Sequence, residues 1–341
     1  MSSEYTWYPQ VVWEVDGGDI PDDSEEIESG CREINIAMKG WGADEKALTN
    51  VIGSKSAKDR FLISRKFASL YDISLYDKIK KELGGDYARV LKLLSLPSDQ
   101  AEAKMLNGAL KGLGAREHLI YPILCGRSNG DITLLKKAYF KAYDKDLVQE
   151  LNNNLSGDFK KLMVMCAQGI EEAYDPENTH TEEAAEEDME TYYKAGEGSW
   201  GTDENKFFKI LCLSPSEHLK AIDVAYTKKY GNTMKKAATK ELGGVAEDAA
   251  AYLLGIKLGD AAETIASEIK KITKGLGTDE DGLMNFIIRL SVVPDLFRFV
   301  MEKHQDLFDK TLEKRISSEV SGDFEAILLK LVETGKTAEY E

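Results

Sequence analysis

The sequence predicts an all-α protein built as four similar units of five helices each, and three observations carry that prediction. A glycine loop is written four times: Met38-Lys39-Gly40-Trp41-Gly42-Ala43-Asp44-Glu45, Lys111-Gly112-Leu113-Gly114-Ala115-Arg116-Glu117, Ser199-Trp200-Gly201-Thr202-Asp203-Glu204 and Lys274-Gly275-Leu276-Gly277-Thr278-Asp279-Glu280. The second glycines of these loops stand 72, 87 and 76 residues apart. A shorter phrase follows each loop: Gly84-Gly85-Asp86-Tyr87, Ser156-Gly157-Asp158-Phe159, Gly243-Gly244 and Ser321-Gly322-Asp323-Phe324. It falls 43, 43, 43 and 45 residues after the loop glycine, and two marks in register across four units define a repeat protein. Finally, apolar residues recur at helical spacing and no sustained period-two run is present. Units of about 70 to 75 residues are large enough for small cores of their own, unlike the thin repeats of solenoids.

Residues 1–23 form a non-repeated head with Tyr5, Trp7, Tyr8 and Trp13, whose aromatic content predicts packing along the body. The acidic stretch from Asp16 to Glu28 is not an EF-hand loop, because Pro21 interrupts it and Gly17-Gly18 stand at the wrong offsets. The first unit, 24–97, places its five helices around Ile27 and Ile34, Leu48 and Ile52, Phe61 to Phe67, Leu75 and Ile79, and Tyr87 to Leu94. The second, 98–172, repeats them around Met105, Leu119 to Leu124, Leu134 to Tyr139, Leu147 to Leu151 and Phe159 to Met165. An acidic segment at 173–188 reads as a linker and accounts for the longer step of 87. The third unit spans 189–257 and the fourth 258–335, the latter with extra residues near Val292-Val293-Pro294; 336–341 is a tail.

The chain has 341 residues, 44 basic and 60 acidic, for a net charge of −16. Such a surface is repelled by nucleic acid and by anionic lipid alike, so a membrane partner requires a cation between the two negative surfaces. No apolar run of about 18 residues is present, and the acidic, aromatic N-terminus does not read as a signal peptide. Cys31, Cys125, Cys166 and Cys212 lack disulfide or metal spacing and read as reduced core thiols of a cytoplasmic protein.

A calcium ion takes six to eight oxygens, backbone carbonyls among them, and a glycine loop can supply several carbonyls but no charge. The repeat places a carboxylate at a fixed distance: Glu82 and Glu241 lie 40 residues after Gly42 and Gly201, and Glu319 lies 42 after Gly277. In the second unit that position is Asn154, so the site built on Gly112 and Gly114 is expected to be weak or lost. Trp41, Trp200 and Leu276 sit between or beside loop glycines and are the candidates for membrane contact.

Four such loops, each with an acidic residue about 40 positions on, resemble the annexin family across roughly residues 24–335. The resemblance implies five helices per unit, four coiled into a bundle and the third crossing it, with the units arranged as a slightly curved disc. It also implies Ca2+ as the cofactor. The loop ligands it implies are Met38, Gly40 and Gly42 with Glu82; Gly196, Ser199 and Gly201 with Glu241; and Thr273, Gly275 and Gly277 with Glu319. Lipid phosphates would complete the shell. The function implied is calcium-dependent binding to anionic, phosphatidylserine-like membranes by a non-enzymatic protein that is monomeric in solution or weakly oligomeric on membranes. An alternative is a scaffold of the same fold that binds a cytoskeletal protein through its aromatic head.

Other patterns are weaker. Gly126-Arg127-Ser128-Asn129-Gly130 fits the form of a nucleophile elbow but lies between two helical segments, without the preceding strand that chemistry needs. His118, His180, His218 and His304 show no metal-ligand spacing, and no phosphate-binding glycine loop is present. Glu102 and Arg127 match two charged positions of the central channel credited to some annexins, but Met105, Pro122 and Asn285 replace others, so the pair reads as a structural salt bridge. Asn154-Leu155-Ser156 is a glycosylation sequon that stays bare without secretion.

Overall fold

The computed structural model describes residues 5–10, 25–40, 42–112, 114–196, 203–274 and 277–337. Among them are twenty α-helices, five per repeat, and no strand, as the periodicity predicts. The first repeat holds α1 (Glu25–Ala37), α2 (Glu45–Gly53), α3 (Ala57–Tyr71), α4 (Leu75–Glu82) and α5 (Gly85–Leu94). The second holds α6 (Ser98–Leu110), α7 (Tyr121–Leu124, after a 3-10 turn at Glu117–Leu119), α8 (Asn129–Tyr143), α9 (Leu147–Asn154) and α10 (Gly157–Gln168). The third holds α11 (Glu182–Ala195), α12 (Glu204–Leu213), α13 (Ser216–Tyr230), α14 (Met234–Glu241) and α15 (Gly244–Leu258). The fourth holds α16 (Ala261–Ile272), α17 (Glu280–Leu290), α18 (Pro294–Phe308), α19 (Leu312–Glu319) and α20 (Gly322–Thr337).

Each repeat reuses one set of local devices. The third helix is 15 residues long in every case and ends on a left-handed residue: Asp72, Asp144, Gly231 or Asp309. A left-handed residue after a helix lets its N–H satisfy one of the last carbonyls, and Asp tolerates that conformation better than bulkier residues. One turn before the end, two aromatic rings four residues apart meet at a steep tilt: Phe67 with Tyr71, Tyr139 with Tyr143, Tyr226 with Tyr230, and His304 with Phe308, at centroid distances of 4.6, 5.0, 5.0 and 5.1 Å. Phe67, Tyr139, Tyr226 and His304 are each wholly buried, so the same position anchors every module.

The chain divides into two compact units, one of residues 102–264 and one of residues 5–101 with 265–341. The first unit thus holds the body of repeats two and three. Its core includes Tyr192 stacked on Phe207 at 4.2 Å and Tyr121 edge-on to Tyr252 at 5.5 Å. Buried Lys257 donates to the carbonyls of Leu211 and Ser214 and pairs with Glu171 at 2.7 Å. Arg127 and Glu102 form a buried ion pair here, the Arg127 Nε also donating to the Ile123 carbonyl.

The second unit joins the first and last repeats, a pairing that spacing along the chain does not announce. Thr334 Oγ1 donates to the Gly53 carbonyl at 2.8 Å, and buried Arg60 reaches Ser291 Oγ at 2.9 Å. Burial brings the Arg60 guanidinium down to about 10, still charged at neutral pH. The described part of the head packs on this unit: Trp7 lies under the Arg289 guanidinium at 5.0 Å, Tyr8 is buried, and Gln10 Nε2 donates to Asp99 Oδ1.

Some readings need adjustment. The acidic segment read as a linker over 173–188 becomes helical at Glu182, where Thr181 caps α11 by accepting from the Ala184 N–H. Its acidic residues are the solvated face of a helix that buries Ala185, Met189, Tyr192 and Ala195. The four cysteines are free, as read, and two of them meet: Cys166 Sγ and Cys212 Sγ are 3.7 Å apart in the first unit. Hydrogen bonding to a neighbouring thiol, with burial behind it, pushes both groups well up, so they are protonated at neutral pH. The extra residues of the fourth repeat lengthen its second helix, with 11 residues in α17 against 9 in α2.

Gly126, part of the elbow-like pentapeptide, has a structural role. Its φ is +73°, and a Cβ there would lie 2.4 Å from Ile256 Cγ2. Gly126→Ala should therefore cost about 2 to 4 kcal/mol of stability, from left-handed strain and overpacking together, read as a lower denaturation midpoint.

Candidate metal centre

The fourth helix of each repeat is the positioning element. It is 8 residues long in all four, starts from a side-chain cap at Ser74, Asp146, Thr233 or Thr311, and ends on Glu82, Asn154, Glu241 or Glu319. The next residue is extended, and its N–H closes the last turn at 2.9 to 3.0 Å in every repeat. Gly85, Gly157, Gly244 and Gly322 follow with φ between +60° and +69°, which turns the chain sharply into the fifth helix. The recurring glycine phrase therefore fixes where the terminal side chain of the fourth helix is presented.

The glycine loop is fixed at its other end by one backbone bond. The N–H of the residue just before the second helix, or before the 3-10 turn that leads into it in repeat two, returns to a carbonyl at the end of the first: Asp44 to Ala37, Arg116 to Ala109 and Asp203 to Ala195, each at 2.8 Å, and Asp279 to Ile272 at 3.3 Å. Six residues lie inside this closure in the first, second and fourth repeats and seven in the third. Counted from the closure, Met38, Gly196 and Thr273 occupy one position, the first residue of the loop. Gly40, Gly42, Gly112, Gly114 and Gly277 have φ between +94° and +117° with nothing within 4 Å of a Cβ, so glycine serves backbone conformation here and not crowding.

Loop and carboxylate meet directly in two repeats. In the fourth, Thr278 Oγ1 donates to Glu319 Oε2 at 2.7 Å, across 41 residues of sequence. In the third, a Cβ on Gly196 would lie 3.0 Å from Glu241 Cγ and 3.6 Å from its Cδ, so the side chain lies against the loop backbone. In the first repeat Ala43 stands where Thr278 does, and Glu82 accepts from Lys78 Nζ at 3.0 Å. In the second, Asn154 turns its amide back to the Glu150 carbonyl at 2.7 Å, and Arg116 replaces the aspartate that caps α2 and α12. That repeat keeps the loop's backbone and lacks its charge.

Trp41, Ser199, Trp200, Gly201, Gly275 and Leu276 lie outside the described residues. Of the other predicted ligands, Met38 and Thr273 have buried side chains, with Thr273 Oγ1 donating to the Ile269 carbonyl, so these residues have main-chain carbonyls to offer. Among the described residues no three His, Cys, Asp or Glu side chains converge as a metal cluster. A donor set of carbonyls with a single carboxylate would suit a hard oxygen-seeking cation such as calcium. The fold does bring His180 and His218 together, with rings 4.7 Å apart and carboxylates of Glu172 and Asp188 at 3.3 and 2.8 Å. Spacing along the chain gave no sign of this pair.

A family model described as Annexin matches residues 31–94, 101–166, 187–253 and 265–331. Annexin A13 of Homo sapiens is 31% identical over 309 residues, which are 90% of this chain and 95% of that protein. Among solved structures, annexin III superposes with a TM-score of 0.83 at 29% identity, covering 91% of this chain and 94% of its own. A calcium-bound annexin (Sm)1 shares the fold, with a TM-score of 0.76 at 22% identity and 90% of each chain covered.

The capping bonds make one local prediction. Asp44 Oδ1 accepts from the Ala47 N–H at 2.9 Å at the start of α2. Asp44→Ala should lower stability by about 1 kcal/mol, measured by urea unfolding, and an unchanged midpoint would show that the cap is redundant.

Proposed function

The chain belongs to the annexin family, and from that premise we propose that it binds anionic phospholipid membranes when calcium links its loops to lipid phosphates. Calcium-dependent phospholipid binding is the general property of this non-enzymatic family. For this chain, the observation that carries the reading is the placing of a glutamate against the glycine loop, Glu319 by Thr278 and Glu241 by Gly196.

Calcium, when bound, supplies a divalent charge that can be shared between loop oxygens and a phosphate. The carbonyls of Met38, Gly40 and Gly42 with Glu82 form the first proposed site. Those of Gly196, Ser199 and Gly201 with Glu241 form the third, and those of Thr273, Gly275 and Gly277 with Glu319 the fourth. One carboxylate per ion makes each site weak by itself, because ligand charge tunes calcium affinity. A lipid phosphate adds both oxygens and charge, so calcium and membrane strengthen each other's binding by the same factor. Several weak contacts on one chain then combine as avidity. The bridge also overcomes the repulsion between a net charge of −16 and an anionic surface. Trp41, Trp200 and Leu276 would add apolar contact at the lipid interface.

No helix among the described residues is long and apolar enough to cross a membrane. The protein is read as cytoplasmic and peripheral, reaching membranes when calcium rises. The scaffold alternative loses ground on one observation: Trp7 and Tyr8 of the head have their rings packed against the body.

The test is the calcium dependence of co-sedimentation with phosphatidylserine vesicles. Glu82→Gln combined with Glu241→Gln should raise the half-maximal calcium several-fold while leaving thermal unfolding unchanged. Parent-like binding by the double variant would sink the site assignment.

A further inference from the structure

Each fourth helix ends on the candidate ligand, and the residue one turn earlier on the same face differs among repeats: Lys78, Glu150, Ala237 and Arg315. Side chains four apart on a helix can meet, and two of these do. Lys78 Nζ donates to Glu82 Oε1 at 3.0 Å, and Arg315 Nη1 lies 3.9 Å from Glu319 Oε1. Both pairs are sheltered, with side-chain exposures of 18% and 27% in the first and 7% and 17% in the second. Glu319 is tied further by the Thr278 and Ser318 hydroxyls, at 2.7 and 3.3 Å.

Building on the calcium reading above, we propose that Lys78 and Arg315 are internal counter-ions that compete with calcium for Glu82 and Glu319. They would thereby raise the calcium concentration at which the first and fourth loops engage a membrane. The chemistry is a competition for the same oxygens. Calcium takes a carboxylate most strongly through both oxygens, and the ammonium of Lys78 already holds one of them. When the ion arrives, that ammonium must leave the oxygen, and it remains nearby as a like charge.

A purely structural role fits less well. A cation that follows the helix dipole belongs in the last turn, whereas Lys78 and Arg315 sit mid-helix, four residues before the carboxylate that ends it. The order of lysine before glutamate is also the weaker of the two i,i+4 arrangements. Helix α14 has the same length and the same terminal hydrogen bond with buried Ala237 at this position, so the fold does not require a cation there.

The experiment compares the calcium half-point for binding phosphatidylserine vesicles in the parent, Lys78→Met, Lys78→Arg and Lys81→Met. Lys78→Met should lower the half-point about two- to fivefold, the range of a sheltered i,i+4 pair. Lys78→Arg keeps the counter-ion and should stay near the parent. Lys81→Met removes the same charge from an exposed position on the same helix and should leave the half-point unchanged or raise it. If methionine disturbs packing, seen as a lower melting temperature, Lys78→Gln gives the same readout. A half-point that is unchanged or raised in the neutral Lys78 variants, with the parent binding normally, overturns the counter-ion role. A parent that never pellets with calcium overturns the calcium reading and this inference together, so the two failures are distinguishable.

Discussion

A carboxylate on the last residue of a helix stands where the backbone already presents unpaired carbonyl oxygens and the negative end of the helix dipole. Glu82, Glu241 and Glu319 all occupy that place. Stability alone would favour a lysine or arginine there, so three repeats retain a local mismatch that a bound cation would relieve. The rest of each module holds that mismatch in position. A side-chain cap fixes the start of the short helix, an extended residue closes its end, and a left-handed glycine turns the chain away.

The glycine loop is the complement of that helix end. It has carbonyl oxygens to offer and no charge, and one backbone bond holds its two ends together. Where loop and helix end both keep their roles, as with Gly196 and Glu241 or Thr278 and Glu319, the pieces lie in contact before any ion is considered. Repeat two shows that the parts are separable. Its loop glycines keep their positive φ values, while Asn154 hydrogen-bonds to its own helix. The architecture therefore does not depend on an acidic residue at that helix end, and the proposed site's charge would rest on one side chain per repeat.

Much of this was legible in the sequence because the repeat supplies its own controls. The near-constant step of 40 to 42 residues from loop glycine to acidic residue predicted the candidate ligands, and an eight-residue helix ends at that position each time. Helical periodicity predicted five elements per unit, since buried residues such as Ile27, Cys31 and Ile34 follow the period of a helix. What stayed hidden depends on contacts between distant residues. The bond from Thr278 to Glu319, the meeting of His180 with His218, and the approach of Cys166 to Cys212 leave no mark in local spacing. The start of α11 was hidden for a different reason. Its acidic face dominates the composition of 181–190, and only the buried positions Ala185, Met189 and Tyr192 disclose a helix. The aromatic pair of the third helix recurs at a fixed offset and was readable, but Phe, Tyr and His share it among them, which disguises the match.

The most direct test of the central claim is a crystal structure determined in calcium, with the ions located by their anomalous scattering. The account predicts calcium at the loops of the first, third and fourth repeats, each touching Glu82, Glu241 or Glu319 and loop carbonyls, and none at Asn154. Ions bound away from these helix ends, or bound equally at the second loop, would contradict it.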